Sequence, residues 1–258
     1  MAIIHPSAIV SPKAQLAENV EIGAYSIVGE DVCIDEGTII ESHVVIKGRT
    51  QIGKNNHIYQ FCSLGEIPQD KKYAGEPTQL VIGNNNTIRE FCTFNLGTVQ
   101  DRGVTRLGDD NWIMGYVHIA HDCQVGSHTI FANNAQLAGH VLVEDWVVFG
   151  GYTGVHQFCH VGAHVMTAAY SLIVQDVPPF VLVAGNTAKP FGLNVEGIKR
   201  RGFTSDQLSS LKTAYRYLYR MGLRLDEAKE ELSELAKKEP EVKRFVDFIE
   251  HSHRGLVR

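Results

Sequence analysis

Two histidines and an aspartate in the segment Val117–Gly126 (VHIAHDCQVG) carry the side chains needed for proton transfer. His118 and His121 are three residues apart, and Asp122 follows His121 directly. An imidazole exchanges protons near neutral pH, and a neighbouring carboxylate fixes its tautomer and raises its proton affinity. The spacing therefore predicts a general base at His121 that is oriented by Asp122.

The positions that follow at intervals of eighteen residues add a backbone partner to this base. Gly139 comes eighteen residues after His121 and Gln157 eighteen after Gly139, while His140 comes eighteen after Asp122. If three six-residue units close one turn of a coil, these residues stack in two neighbouring columns, with strands about 4.8 Å apart. A base that faces a backbone N–H across such a gap is suited to acyl transfer, because the N–H stabilises the oxyanion. We predict a catalytic group of His121, Asp122 and the amide of Gly139.

Other readings of these residues stay open at this point. No serine or cysteine stands in a nucleophile-elbow context, and Cys123 falls at an inward position, so direct attack by an acceptor hydroxyl or amine is favoured. Histidines on a parallel β-helix could instead bind zinc together with a neighbouring subunit, as in the zinc-dependent carbonic anhydrases built on this repeat. An inactive solenoid would leave the clustering of four histidines unexplained: His118, His121, His140 and His156.

A strict period of six residues must position these side chains. Apolar residues recur at every sixth position from Ile4 to Ile173, with two interruptions, and small residues follow four positions later. This period fits neither an amphipathic helix nor a hairpin meander. It predicts a triangular parallel β-helix, whose coils bury their apolar side chains only by stacking on one another. Glycines often follow the apolar residue, where we expect a turn with positive φ: Gly23, Gly53, Gly83, Gly108, Gly126 and Gly162.

The two interruptions predict loops that leave the coil. The first, Gly65–Gln79, is polar and contains two prolines, and the second is Asn95–Arg106. Because long loops on a rigid framework often bind ligands, Asp70, Lys71 and Lys72 are candidates for substrate contact. The alternative is that they only keep the loop solvated.

The period ends near the two prolines at 178–179, and the pattern becomes helical after Pro190. We predict a β-helix domain over residues 1–189 and a small α-helical domain over residues 190–258. The expected helices run from a cap at Thr204 or Ser205 to about Arg220, over Asp226–Lys237 and over Glu241–His251.

Composition indicates an ordinary globular chain of 258 residues, 44% hydrophobic and 21% charged. It has no apolar run of membrane-spanning length and no signal-peptide pattern, so we expect a cytoplasmic protein without an integral membrane segment. The five cysteines form no CxxC pair and are expected to be buried, reduced thiols. Residues 190–258 carry 14 Lys/Arg against 11 Asp/Glu, whereas residues 1–189 carry 10 against 18. The basic part could attract an acidic partner or phosphates, or be a solvated helix face.

Several long segments resemble the UDP-N-acetylglucosamine 3-O-acyltransferase family over essentially the whole chain. They are AHDCQVG (120–126), NNAQLAGHV (133–141), HQFCHVGAHV (156–165), QDVPPF (175–180), NVEGIKRRGF (194–203), HIYQF (57–61) and QDKKYAGEPT (69–78). The resemblance implies a left-handed parallel β-helix, an exception to the usual right-handed crossover. It also implies a homotrimer with active sites between subunits, acting in the first step of lipid A biosynthesis.

The reaction implied is transfer of an (R)-3-hydroxyacyl group from acyl carrier protein to the 3-hydroxyl of UDP-N-acetylglucosamine. By resemblance His121 is the base, Asp122 orients it and the Gly139 amide binds the oxyanion, with no cofactor, no metal and no nucleic-acid partner. The implied substrate-binding residues are Asp70, Lys72, His118, His140, His156, Gln157, Asn194, Glu196 and Arg200. An acidic carrier protein suits the basic C-terminal part and predicts a salt-sensitive Michaelis constant.

Two segments depart from the family pattern. Where relatives often read HRGT, this chain has Asn95–Thr98, so a contact from that histidine or arginine is absent. Met166 and Ala169 align with the segment that sets acyl-chain length in the family, where some relatives carry glycine in place of Ala169. This predicts an acyl chain shorter than the longest that the family uses. The related N-acyltransferase of the same pathway, or a variant that uses an amino-sugar nucleotide, is the alternative; the segment 194–203 favours the O-acyltransferase.

Overall fold

The computed structural model covers residues 1–258 and contains 28 short strands and four helices. The strands are β1 (Ile3–Ile4), β2 (Ile9–Val10), β3 (Gln15–Leu16), β4 (Glu21–Ile22), β5 (Ile27–Val28), β6 (Val32–Ile34), β7 (Ile39–Ile40), β8 (Val45–Ile46), β9 (Arg49–Ile52), β10 (His57–Ile58), β11 (Ser63–Glu66), β12 (Gln79–Ile82), β13 (Thr87–Ile88), β14 (Thr93–Asn95), β15 (Val104–Leu107), β16 (Trp112–Ile113), β17 (His118–Ile119), β18 (Gln124–Val125), β19 (Ile130–Phe131), β20 (Gln136–Leu137), β21 (Leu142–Val143), β22 (Val148–Phe149), β23 (Gly154–Val155), β24 (His160–Val161), β25 (Met166–Thr167), β26 (Leu172–Ile173), β27 (Val181–Ala184) and β28 (Lys189–Leu193). The helices are α1 (Val195–Arg200), α2 (Ser205–Tyr219), α3 (Leu225–Ala236) and α4 (Pro240–Glu250).

Successive strands fall on three sheets of 11, 9 and 8 strands. From β1 to β26, strands three apart in the sequence are paired, and the 11-stranded sheet then ends with β25, β27 and β28 side by side. We call the sheets A (which starts with β1), B (with β2) and C (with β3). The pairing is parallel with a register of eighteen residues, as in His118↔Gln136. The two loops widen this register locally, to Ser63↔Thr93 and Thr93↔His118, and the coil then resumes. The predicted β-helix is confirmed. Both predicted interruptions contain a loop between strands, but the loops are shorter than predicted, 67–78 and 96–103, because the flanking residues continue the ladders of β11, β12, β14 and β15.

The apolar residue of each six-residue unit lies in the interior, as expected. Ile22, Val28 and Ile34 are each 2% exposed, and the small residues Ser26 and Thr38 are fully buried. The apolar residues of the first coil are more exposed to solvent, because that coil is covered by a neighbouring coil on one side only. The core is therefore a continuous column that each coil extends by one layer.

The prediction that the glycines after the apolar residues have positive φ is wrong. At each corner the left-handed residue comes two positions later, as at Tyr25 with φ 59°, after Gly23. Gly23 is needed for another reason: a Cβ there would lie 2.6 Å from the carbonyl carbon of Glu41 in the next coil. At Gly162 an added Cβ would lie 2.6 Å from the nitrogen of Pro179. These glycines permit close approach of neighbouring coils.

The C-terminal part begins with a hairpin, because β28 pairs antiparallel with β27 across the predicted boundary at residue 189. Helices α2, α3 and α4 confirm the three predicted helices to within one residue at each end. Thr204 caps α2 in a capping box with Gln207. Helix α1 was not predicted, since its six residues are too few to display a helical period. All four helices are too short or too polar to span a bilayer.

Candidate active site

The three sheets form the faces of a triangular prism, and the predicted base lies at the corner between sheets B and C. Strand β17 ends at Ile119, β18 begins at Gln124, and the chain turns between them through Asp122, which has φ 60°. This turn leaves the side chain of His121 16% exposed and buries that of Asp122 completely. An imidazole therefore reaches solvent while its neighbouring carboxylate is held inside the fold.

The two side chains form a hydrogen-bonded pair, and a threonine completes the carboxylate's partners. Asp122 Oδ2 lies 3.0 Å from His121 Nδ1. The carboxylate also accepts hydrogen bonds from the backbone N–H of Thr98 at 2.9 Å and from its Oγ1 at 2.6 Å. Burial raises the pKa of Asp122, but these hydrogen bonds outweigh it and hold the pKa below its ordinary value. Since an ionised carboxylate only accepts, Nδ1 carries the proton and Nε2 is the free basic atom.

Gly139 lies directly against the imidazole, one coil further along. A Cβ built on Gly139 would come within 2.5 Å of His121 Cε1 and 2.7 Å of Nε2. The neighbouring amide of His140 donates to the carbonyl of His121 at 3.0 Å, whereas the Gly139 N–H donates to no backbone acceptor. The amides of His121 and Gln157 are unpaired in the same way. The free N–H is thus a property of this corner, and what distinguishes Gly139 is the basic nitrogen beside it.

His140 packs beside the pair and is held by the second loop. Its ring meets that of His121 edge-on, with centroids 4.9 Å apart, and stacks on Phe158 at 4.4 Å. Its Nδ1 donates to Asp101 Oδ2 at 2.9 Å. The loop between β14 and β15 therefore supplies both Thr98 and Asp101 to this corner.

The remaining predicted residues of this corner lie on the adjoining strand and in the next coil. His118 Nδ1 lies 2.8 Å from Thr93 Oγ1, and burial lowers the pKa of His118, which keeps this imidazole neutral. His156 and Gln157 occupy the same corner one coil beyond Gly139, and both are exposed. The structure thus brings together all the predicted site residues between 118 and 157.

A second group of predicted residues lies elsewhere on the prism. Met166, Asn194, Glu196 and Arg200 line a cavity of about 660 Å³ over sheet A. Asn194 is buried: its Oδ1 caps α1 by accepting from Gly197 N at 3.1 Å, and its Nδ2 donates to the carbonyl of His164. That cavity is separate from the corner of His121.

Three further predicted residues contact neither group in a single chain. Asp70 and Lys72 are part of a turn in the first loop, where Asp70 Oδ1 accepts from the Lys72 N–H at 3.0 Å. Ala169 is exposed at the corner between sheets A and B. One chain therefore distributes its predicted site residues over several faces.

Sequence reasoning missed Thr98 and Asp101. The departure from the family pattern at Asn95–Thr98 predicts only that a contact is absent. In the structure Thr98 donates twice to Asp122, and Asn95 Nδ2 donates to the Ile67 carbonyl at 3.1 Å. The six-residue period lapses in this loop, so no register was available to place these residues. The only usable signal was a polar loop of fixed length close to the histidines.

A metal ion has one group of possible ligands in the chain: one ligand atom from each of His121, Asp122 and His140, all within 4.8 Å. Two imidazoles and a carboxylate suit zinc. However, Asp122 already accepts hydrogen bonds from Thr98 and His121. An ion bound through His121 Nδ1 would have to replace the proton that this nitrogen donates to Asp122. The carboxylate of Asp122 therefore has hydrogen-bond donors on both oxygens without an ion.

Comparison with known proteins adds to this geometry. A family model for bacterial transferase hexapeptides (six repeats) matches residues 13–48 and 105–139, and one for domain 2 of UDP-N-acetylglucosamine O-acyltransferases matches residues 176–257. A protein of Thiobacillus denitrificans named acyl-[acyl-carrier-protein]–UDP-N-acetylglucosamine O-acyltransferase is 60% identical over the full length of both chains.

The chain belongs to the family of UDP-N-acetylglucosamine O-acyltransferases.

Solved structures agree with the assignment. The UDP-N-acetylglucosamine O-acyltransferase of Moraxella catarrhalis is 50% identical, with a TM-score of 0.97 over 99% of both chains. The UDP-N-acetylglucosamine acyltransferase of Francisella novicida is 44% identical, with a TM-score of 0.97 over 99% of this chain and 94% of its own. The resemblance predicted from the sequence is confirmed, and with it an acyltransferase of the hexapeptide-repeat class. Like its relatives, the chain combines a parallel β-helix with a helical C-terminal part.

Proposed function

We propose that this enzyme transfers an (R)-3-hydroxyacyl group from acyl carrier protein to the 3-hydroxyl of UDP-N-acetylglucosamine, in the cytoplasm and as the first step of lipid A biosynthesis. The names of full-length relatives at 58–60% identity support the two substrates. The observation that carries the chemistry is the free Nε2 of His121 beside the unpaired amide of Gly139.

Each group of the corner has a role in this reaction. His121 Nε2 takes the proton of the sugar hydroxyl while its oxygen attacks the thioester carbonyl, and Asp122 stabilises the resulting imidazolium. The Gly139 N–H donates to the oxyanion of the tetrahedral intermediate. The attack forms the new C–O bond. Collapse of the intermediate restores the carbonyl and breaks the C–S bond, and the imidazolium gives its proton to the departing thiolate. No cofactor is needed for this balance.

The distribution of residues over the prism supports a site shared between copies. The base lies at the corner between sheets B and C, whereas Glu196 and Arg200 line a cavity over sheet A. A rigid coil cannot bring both to one sugar nucleotide. A closed homotrimer, in which the sheet A face of one copy meets the histidine corner of the next, would do so. We propose this assembly, with Asp70 and Lys72 reaching the substrate from the first loop.

A thioester-transfer assay with acyl carrier protein donors and UDP-N-acetylglucosamine tests the proposal. His121→Ala should lower kcat by about 100- to 10,000-fold, the usual contribution of a general base. His5→Ala, which removes an exposed histidine of the first coil, is the control. Activity should survive a metal chelator. Full activity of His121→Ala, or loss of wild-type activity on chelation that zinc restores, would refute the mechanism.

A further inference from the structure

A buried carboxylate just after β26 holds the C-terminal residues 252–255 against the β-helix. Asp176 is 1% exposed. Its Oδ2 accepts hydrogen bonds from Ser252 Oγ at 2.7 Å and from the backbone N–H groups of His253 and Arg254 at 3.0 and 3.1 Å. Its own backbone donates to the carbonyl of Gly255 at 2.8 Å. The backbone of Arg254 is therefore fixed relative to the coil, although Arg254 is only four residues from the last residue of the sequence.

This anchor brings the guanidinium of Arg254 to the histidine corner. Arg254 Nη2 lies 3.3 Å from His156 Nδ1, a contact between residues 98 apart in the sequence. His156 follows β23 at the corner between sheets B and C, one coil beyond the corner that holds Gly139. Both side chains are exposed, so the pair can contact a ligand bound there.

The chemistry of the two partners decides which nitrogen of His156 carries a proton. A guanidinium only donates hydrogen bonds, so Nδ1 must accept and the proton must lie on Nε2. The carbonyl of Gln157, 3.2 Å from the same Nδ1, only accepts and requires the opposite tautomer. Arg254 and the Gln157 carbonyl therefore compete for one atom. The outcome determines whether Nε2 is a donor or an acceptor toward a bound ligand.

We propose that Arg254 is a positioning residue that holds His156 in the Nε2–H tautomer. His156 then presents a hydrogen-bond donor to an oxygen of the bound substrate, such as a sugar hydroxyl, a carbonyl or a phosphate. This role rests on the proposed function for its effect on turnover, but the tautomer itself does not depend on it. The C-terminal segment becomes part of the active site through this contact.

Histidine tautomers are measured directly on the intact protein labelled with ¹⁵N-histidine, by long-range ¹H–¹⁵N correlation at mildly alkaline pH. His156→Gln identifies the signal. Wild type should show the Nε2–H tautomer, and Arg254→Met should convert it to Nδ1–H. Arg254→Lys, which keeps a donor, should restore part of the wild-type state. The same tautomer in wild type and Arg254→Met would overturn the proposal.

Kinetics supply the second measurement. Arg254→Met should lower kcat/KM for UDP-N-acetylglucosamine about tenfold, the size of one lost hydrogen bond. It should have no further effect in the His156→Gln background, because the arginine acts through that ring. An equal loss in both backgrounds would contradict the role. Arg224→Met, at the residue before α3, is the control, because the side chain of Arg224 is 79% exposed. An unchanged melting temperature excludes unfolding, and an inactive wild type would count against the proposed function alone.

Discussion

The imidazole of His121 rests on the Cα of Gly139, so closely that one added methyl group would stand 2.5 Å from Cε1. The contact joins residues eighteen apart, which is the register of the coil. A base and a backbone donor are thus set side by side by the repeat itself. Side-chain size at position 139 therefore controls where the base can lie.

Gly139→Ala should abolish most acyl transfer without unfolding the protein. The new Cβ must displace the flexible imidazole rather than the backbone, so we expect kcat to fall at least about 100-fold, as for loss of a general base. Gly151→Ala is a matched control: it occupies the equivalent position at another corner, where the nearest atom is 3.4 Å away. Similar activity of the two variants would refute the importance of this contact.

Thr98→Val should slow the reaction by weakening the support of Asp122. It removes the 2.6 Å hydrogen bond from Oγ1 and keeps the backbone donor. With one donor fewer, the pKa of Asp122 should rise toward its ordinary value and kcat should fall about tenfold. The measurement is kcat against pH. Thr98→Ser keeps the hydroxyl and should retain activity; equal loss in both variants would contradict this reasoning.

Asp122 should also make the stability of the fold depend on pH. Its pKa is depressed in the folded protein, whereas the unfolded value is about 3.9. The carboxylate therefore stabilises the fold above about pH 4, and this contribution disappears as the pH falls through the folded-state pKa. Wild type and Asp122→Asn should differ most in free energy of unfolding near pH 6 and converge in acid. A constant difference would show that the charge is not responsible.

Inactive variants should complement each other if the site is shared between copies. His121→Ala and Arg200→Ala would each inactivate a homogeneous assembly. In a ring of mixed copies, about one quarter of the sites would combine an intact base with an intact nucleotide contact. Co-purified mixed assemblies should therefore regain measurable activity. An active Arg200→Ala variant would show that Arg200 has no role, and if mixed assemblies of two inactive variants stay inactive, both groups act within one chain.

Ala169→Gly should shift donor preference toward longer acyl chains. Removing the methyl group at this exposed corner should lengthen the groove by about one carbon–carbon unit, and one methylene changes selectivity by roughly 10- to 200-fold. The test compares kcat/KM for carrier-protein donors of graded length. The ratios of kcat/KM between donors of different length serve as the internal control, because a general loss of activity would lower kcat/KM for all donors alike. An unchanged donor preference would contradict the prediction that Ala169 limits the length of the acyl chain.

The sequence determined the coil, its three faces and the stacking of His121 on Gly139. A period of six repeated along the chain leaves one way to bury its apolar residues, and register then follows from counting. The place of Asp122 at the same corner was also predictable, because it follows His121 directly in the sequence. The three longer helices were likewise readable from caps and apolar stripes.

Only the tertiary structure revealed the groups that reach the site from outside the repeat. Thr98 and Asp101 lie in a loop and Arg254 near the end of the chain, where no period relates a residue's number to its place in space. Their positions depend on how irregular segments pack against the coil, through contacts such as that of Arg254 with Asp176. Such contacts are specific to individual side chains. They have no periodic signature. The sequence therefore predicted the pair of His121 and Asp122, and the structure alone showed the residues that contact this pair and the next coil of the same corner.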